Sequence, residues 1–314
     1  MSIRVADNTV EAVLEQYQRD LGTLYEQGEV RAIAAMVFFD RLGWDAGEVM
    51  LNRQAGLSES ELLKVVLPLK RLRTGEPLQY VLGHTDFHGL RIAVDAHVLI
   101  PRPETEELVD LVIRAQDAPP QRAIDIGTGS GCIALAVKKA FPTTEVIGMD
   151  VSPEALACAK GNGEALGLSV DWRQSDILDE ALVLPMADLI VSNPPYIPRS
   201  EEADMGTNVL EHEPHLALFV PNDDPLLFYR AIARKAAEAL PPGGQLWFEG
   251  HYRHAPAVAE LLRGLGFTHV NVFEDLSGQP RIIRGEAWGV SSEESPFAGL
   301  RVTGMLRKPP KMSW

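Results

Sequence analysis

The chain has 314 residues, 46% of them hydrophobic and 23% charged, with a formal net charge of −15. That balance is ordinary for a soluble globular protein, with length enough for two unequal parts, and it argues against disorder and against a membrane span. The acid excess opposes condensation onto a polyanion and so disfavours direct nucleic-acid binding.

The opening stretch, MSIRVADNTVEAVLEQYQRD, carries charges throughout and has no apolar run of the kind an export signal needs, so a cytoplasmic protein is expected. Residues 7–74 show helical spacing and predict a small bundle of four or five short helices. Ser58 and Glu61 match a capping box, and Pro68 is expected to kink or end the helix they open. The basic residues of LPLKRLRTG (Lys70, Arg71, Arg73) read as a solvated helix end, with RNA or an acidic partner as the alternative. Next, Gly89 separates two short β-like runs in DFHGLRIAVD and predicts a hairpin. The expected division is a helical domain over 1–82, a β-hairpin linker over 83–100, an α/β domain over 101–288 and a tail over 289–314.

From residue 101 apolar strands alternate with helices: RAIDIG, TEVIGMDV, VDWRQSD, ADLIVSN, GQLWFEG, THVNVFED and PRIIRGEAW. Such alternation predicts a doubly wound, mostly parallel sheet covered on both faces. Only LSGQ joins the last two strands, too little for a crossover helix, so the last strand is expected antiparallel. Cys132 and Cys158 have neither zinc nor disulfide spacing and are expected as small core residues.

Two local patterns carry chemistry. The first is the turn Gly127-Thr128-Gly129-Ser130-Gly131 between a strand and a helix, where glycines permit positive φ and close approach of a ligand to the backbone. Asp150 ends the next strand, placed to accept hydrogen bonds from ribose hydroxyls, and Asp125 either holds the turn or faces a cofactor amine. Ile177, beyond VDWRQSD, is placed with these cofactor residues. A dinucleotide fingerprint would put its third glycine where Cys132 stands, which leaves an NAD-dependent oxidoreductase as the alternative from another class.

The second pattern is Asn193-Pro194-Pro195-Tyr196 at the end of a strand. The Asn193 side-chain oxygen and the Pro194 carbonyl are acceptors, and the prolines have no N–H to compete. Two fixed acceptors suit an NH₂ group whose delocalised lone pair must be turned toward a methyl donor, and their hold strengthens as positive charge develops on nitrogen. Tyr196 is expected to lie against the planar group. The nitrogen becomes acidic only once alkylated, so no strong base is required.

The glycine turn and Asp150 resemble class I methyltransferases that use S-adenosylmethionine. RTGEPLQYVLG, DFHGLRIAVDAHVLIPRPETEELVDLVI, GTGSGCIALA, SNPPYIP and EPHLALFVPNDDPLLFYRAI, in that order, resemble the protein-(glutamine-N5) methyltransferases over roughly residues 10–285. The PRPETEELV form is most similar to members acting on peptide chain release factors; relatives acting on a large-subunit ribosomal protein usually carry a serine soon after the arginine. The resemblance implies methyl transfer from S-adenosylmethionine, with S-adenosylhomocysteine as product, to the glutamine of a release factor's Gly-Gly-Gln motif. It puts the cofactor at Gly127, Gly129, Gly131, Asp150 and Asn193 and the substrate clamp at Asn193 through Tyr196, with the 1–82 part gripping the release factor. Arg102, Glu104 and Thr105 either line the same cleft or form only a proline-led helix start. Other acceptors of the same chemistry are the ribosomal protein and adenine or guanine amines; a binding module that keeps the cofactor site without turnover is a further alternative.

The chain departs from the family pattern at FEGHYRHAP and near FVPNDDPLL, segments expected to lie away from the chemistry. His212 and His215 suggest a metal pair, but Pro214 between them breaks helical presentation and they are read as loop wall; no metal is expected. A monomer without membrane contact is expected.

Overall fold

The computed structural model describes residues 7–288, so the expected tail lies outside the described residues. Helices come first: α1 (Val10–Leu21), α2 (Gln27–Leu42), α3 (Ala46–Leu51), α4 (Glu59–Leu72) and α5 (Leu78–Leu82). Side-chain caps set the starts of α1, α3 and α4. Asp45 with Glu48 and Ser58 with Glu61 each form a reciprocal capping box, at α3 and α4.

Pro68 does not end α4, which runs on to Leu72. The proline forgoes one hydrogen bond, to the carbonyl of Lys64, an exposed residue. Leu69 and Leu72 lie beyond it, both fully buried. Burying two leucines is worth about 3–6 kcal/mol, which offsets the roughly 3 kcal/mol a mid-helix proline costs. The bundle has its own hydrophobic core, with Tyr17, Phe38, Leu57 and Leu69 at its centre. Two residues of the basic run are paired internally: Arg71 binds Glu76 and the Tyr80 carbonyl, and Arg73 pairs with Asp20 at 3.5 Å.

β1 (His84–Phe87) and β2 (Leu90–Ala93) form the expected hairpin. Its two turn residues, His88 and Gly89, both have positive φ, as a tight two-residue hairpin turn requires. Phe87, Leu90 and Ile92 bury themselves in the core on one face of the main sheet.

That sheet is built from β3 (Arg122–Ile126), β4 (Glu145–Asp150), β5 (Asp171–Gln174), β6 (Leu189–Ser192), β9 (Gln245–Glu249), β10 (Thr268–Glu274) and β11 (Pro280–Glu286). A two-residue parallel pair, β7 (Ile197–Pro198) with β8 (Phe219–Val220), lies outside it. The helices that cover or flank the sheet are α6 (Pro103–Arg114), α7 (Cys132–Ala140), α8 (Pro153–Leu166), α9 (Thr207–His212), α10 (His215–Leu218), α11 (Leu227–Ala239) and α12 (Ala255–Gly264). The strand order is β10-β11-β9-β6-β3-β4-β5. Ladders among β5, β4, β3, β6 and β9 are parallel, while β11 runs antiparallel to both neighbours. Separate cores fill the two faces, one with α6 and α7, the other with α11 and α12.

Chain order steps outward from β3 to β5, then returns to the other side of β3 at β6. The loops leaving β3 and β6 therefore diverge and open a crevice at the strands' carboxyl ends, where open α/β sheets bind ligands. Cys132 is buried; Cys158, expected in the core, is only partly covered, its thiol reaching the Ala93 carbonyl from the hairpin-facing side of α8. Among the described residues no helix is long and apolar enough to cross a membrane.

Candidate active site

A cavity of about 290 Å³ occupies the crevice. Its floor is the glycine turn leaving β3: Gly127, Thr128, Gly129 and Ser130 all line it. Gly127, Gly129 and Gly131 have φ of 74°, 54° and 82°, values that L side chains rarely adopt. They serve different ends. A Cβ on Gly129 would meet nothing within 4 Å, whereas one on Gly131 would stand 2.8 Å from the Trp172 ring. Gly131 therefore lets α7 pack against Trp172 and does not line the cavity.

Asp125 does not line it either. Its Oδ2 accepts from the Thr128 hydroxyl (2.6 Å) and the Ala134 N–H (3.2 Å), so it ties the turn to the start of α7. Burial pushes its pKa up to about 7, with the nearby Asp150 charge adding to the rise and the two hydrogen bonds opposing it. Asp150, at the end of β4, does line the cavity. One of its oxygens accepts from the Gly129 N–H (2.9 Å) and the other from Ser152 N–H (3.0 Å), leaving lone pairs on each. Ile177 lines the wall beyond β5.

Asn193, Pro194 and Pro195 form the wall beyond β6. Asn193 Nδ2 donates to Thr105 Oγ1 at 3.2 Å, and Asn193 Oδ1 and the Pro194 carbonyl accept no hydrogen bond from the described residues. Thr105, on the first turn of α6, lines the cavity as well and donates to Glu249 Oε2 at 2.6 Å. Tyr196 follows directly on the cavity-lining Pro194 and Pro195, and its hydroxyl donates to Glu249 Oε1 at 3.2 Å. Burial, then the Glu249 charge, push the tyrosine's pKa up and keep it a donor. Glu249 itself is 1% exposed, and burial raises its pKa against the opposing effects of the Thr105 hydroxyl, Arg281 and the Tyr196 hydroxyl.

Arg102 and Glu104 are not in the cavity wall. Arg102 pairs with the buried Glu213 at 2.6 Å, and Glu213 also accepts from the Ile100 N–H at 3.3 Å. That pair ties the start of α6 to the segment between β7 and β8, whose Pro214, Leu216 and Ala217 close one side of the cavity. His212 and His215 each bond a backbone carbonyl, of Asn208 and Leu210.

Sequence reasoning missed Glu249 and Glu213. FEGHYRHAP was expected away from the chemistry, yet Glu249 holds two of the predicted residues and His251 lies edge-on to Tyr196, ring centroids 6.2 Å apart. The available signal was an acid ending an apolar strand, the same feature that drew attention to Asp150.

A seven-stranded sheet with one reversed strand, its ligand crevice between the glycine turn and an Asn-Pro-Pro-Tyr strand exit, is the class I S-adenosylmethionine-dependent methyltransferase fold. Family models agree: the methyltransferase small domain matches residues 108–216 and the PrmC N-terminal domain residues 12–83. The release factor glutamine methyltransferase of Bacteroides thetaiotaomicron is 39% identical over 277 residues, 88% of this chain and 98% of the relative. That of Flavobacterium psychrophilum is 36% identical, covering 86% of this chain and 96% of the relative, and that of Streptococcus pneumoniae 42% identical, covering 68% and 76%. The chain belongs to the release factor glutamine methyltransferase family.

The crevice fits S-adenosylmethionine. Gly129 leaves open the space a side chain would fill, and Asp150 keeps lone pairs directed at a wall otherwise largely apolar.

Proposed function

We propose that this protein methylates the side-chain amide nitrogen of the glutamine in the Gly-Gly-Gln motif of peptide chain release factors, leaving S-adenosylhomocysteine as the second product. The observation that carries the proposal is a pair of acceptors in the cavity wall that no described residue occupies: Asn193 Oδ1 and the Pro194 carbonyl, with Pro194 and Pro195 presenting no N–H.

S-adenosylmethionine, when bound, supplies an electrophilic methyl group on a sulfonium. Gly127, Thr128, Gly129 and Ser130 would hold its amino-acid end against the turn, Asp150 its ribose hydroxyls and Ile177 its adenine. Asp125 and Gly131 act at one remove, by shaping the turn and seating α7. Asn193 and Pro194 would accept both N–H hydrogens of the glutamine amide and hold its plane so that the nitrogen lone pair, perpendicular to that plane, faces the methyl donor; the alkylated nitrogen, now acidic, loses one proton to solvent. As positive charge develops on that nitrogen its N–H groups become stronger donors, so the same two contacts are worth more in the transition state than in the ground state. Pro195 stiffens the exit; Arg102 and Glu104 serve the start of α6, which carries Thr105. The helical part, 1–82, recognises the release factor, 83–100 links, and 101–288 holds cofactor and glutamine.

The test incubates the protein with methyl-labelled cofactor and a purified release factor, either with its Gly-Gly-Gln glutamine or with that glutamine changed to alanine. Label is expected only in the first, and Asn193→Ala should lower transfer by about 10²–10³-fold, the cost of losing one preorganised partner of a developing charge, while still binding cofactor. Labelling of the alanine version, or none of either, would overturn the assignment.

A further inference from the structure

Glu249 touches neither the cavity nor any group that would react, yet it is the centre of the hydrogen bonds behind the Asn193 wall. Parallel pairing of β6 with β9 puts Ser192 opposite Phe248, so the next residues, Asn193 just past the end of β6 and Glu249 at the last position of β9, stand side by side. Thr105, from the first turn of α6, comes between their side chains. A fold needing only packing there would be served by an apolar residue, because burying a carboxylate costs several kcal/mol unless its oxygens are paired. Here each oxygen accepts from a hydroxyl: Oε2 from Thr105 at 2.6 Å and Oε1 from Tyr196 at 3.2 Å.

We propose that Glu249 is a positioning residue for methyl transfer, whose carboxylate fixes the direction of hydrogen-bond donation through Thr105 and thereby which end of the Asn193 amide faces the cavity. A carboxylate only accepts, so Thr105 must spend its single hydroxyl hydrogen on it. The threonine oxygen is then an acceptor toward Asn193, which answers with Nδ2 and is left with Oδ1 for the substrate. With Thr105 free to rotate, the amide could equally present NH₂ to the glutamine, and two donors would meet. The other oxygen of Glu249 holds the Tyr196 hydroxyl and so the end of the Asn-Pro-Pro-Tyr segment. This inference rests on the function proposed above.

Steady-state transfer to a release factor, with cofactor affinity from calorimetry, tests it in wild type, Thr105→Val, Thr105→Ser, Glu249→Gln and the Thr105→Val/Glu249→Gln pair. Thr105→Val keeps the shape and removes the relay. It should lower kcat about 10- to 100-fold, less than loss of a direct contact, with KM and cofactor affinity within about twofold. Thr105→Ser should recover kcat to within about threefold of wild type, because the hydroxyl alone is required. Glu249→Gln should lower kcat similarly, and the double variant should be no worse than Thr105→Val, since both cut one relay. Wild-type kcat in Thr105→Val or Glu249→Gln, a loss confined to KM or cofactor affinity, failure of the serine to rescue, or multiplying losses in the pair would each overturn the proposal. If Glu249→Gln does not fold, the valine and serine variants decide alone. A wild-type enzyme that methylates no glutamine removes the function proposed above; a working wild type with unaffected variants removes only the relay.

Discussion

Replacing Gly131 by alanine should destabilise the protein without touching its cofactor contacts, and replacing Gly129 should cost less stability but weaken cofactor binding. At Gly131, φ is 82°, and a left-handed alanine costs about 1–2 kcal/mol. Its Cβ would also stand 2.8 Å from Trp172 Cη2 and 3.1 Å from the Ala159 Cβ. The indole cannot retreat freely, because the same ring is already packed tightly over Gly148, its Cζ3 only 2.4 Å from where a Cβ on that glycine would be. Overpacking of this kind adds about 1–3 kcal/mol, for a total of about 2–5 kcal/mol. At about 2 °C per kcal/mol for a chain of this size, Gly131→Ala should lower the thermal midpoint by about 4–10 °C. At Gly129 the backbone cost is about 1 kcal/mol, but the methyl enters open space beside the cavity, so cofactor affinity should fall about tenfold, equivalent to about 1.4 kcal/mol. Melting curves and titration calorimetry on both variants separate the two effects. A Gly131→Ala midpoint equal to wild type, or equal losses of stability in both variants, would refute the division of labour assigned to the turn.

Asp150→Ala should weaken cofactor binding about 10- to 100-fold, the worth of hydrogen bonds to a charged group; unchanged calorimetric affinity would remove Asp150 from the ribose site. Burial pushes the Asp125 pKa up to about 7, above the carboxylate's ordinary 3.8, so this group's contribution to stability is greatest at the acid end and is lost as pH rises from about 4 through 7. Asp125→Asn should erase that slope, gaining about 2 kcal/mol on wild type between pH 5.5 and 7.5 in urea titrations; a difference independent of pH would contradict a buried, proton-holding carboxyl. Arg102→Ala leaves the buried Glu213 carboxylate, among the described residues, with only a backbone donor and should cost about 1–3 kcal/mol, tempered because Arg102 is one-third exposed. Adding Glu213→Gln should recover part of the loss, and strict additivity in denaturation would show the pair to be uncoupled.

The strands, the glycine turn and the Asn-Pro-Pro-Tyr exit were legible because each is a local pattern: period, breaker and turn chemistry within a few residues. Pro68 shows where a local rule gives way, since its helix continues on the strength of leucines packed against other helices. Tyr196 shows the complementary limit. Its place in the Asn-Pro-Pro-Tyr segment is local, but the partner of its hydroxyl is a carboxylate 53 residues further along.

From the residues alone came the alternating architecture, the reversed last strand, the ligand-binding turn and two acceptors suited to an NH₂ group, because short-range backbone and side-chain constraints dictate all of these. Only the folded chain decided which way the Asn193 amide points and what holds it. Thr105 and Glu249 are 144 residues apart, and Arg102 and Glu213 are 111 apart. The first pair meets because strand order sets β9 beside β6 with the start of α6 against them, the second because the segment between β7 and β8 returns to the residues that open α6, juxtapositions that no window along the sequence contains.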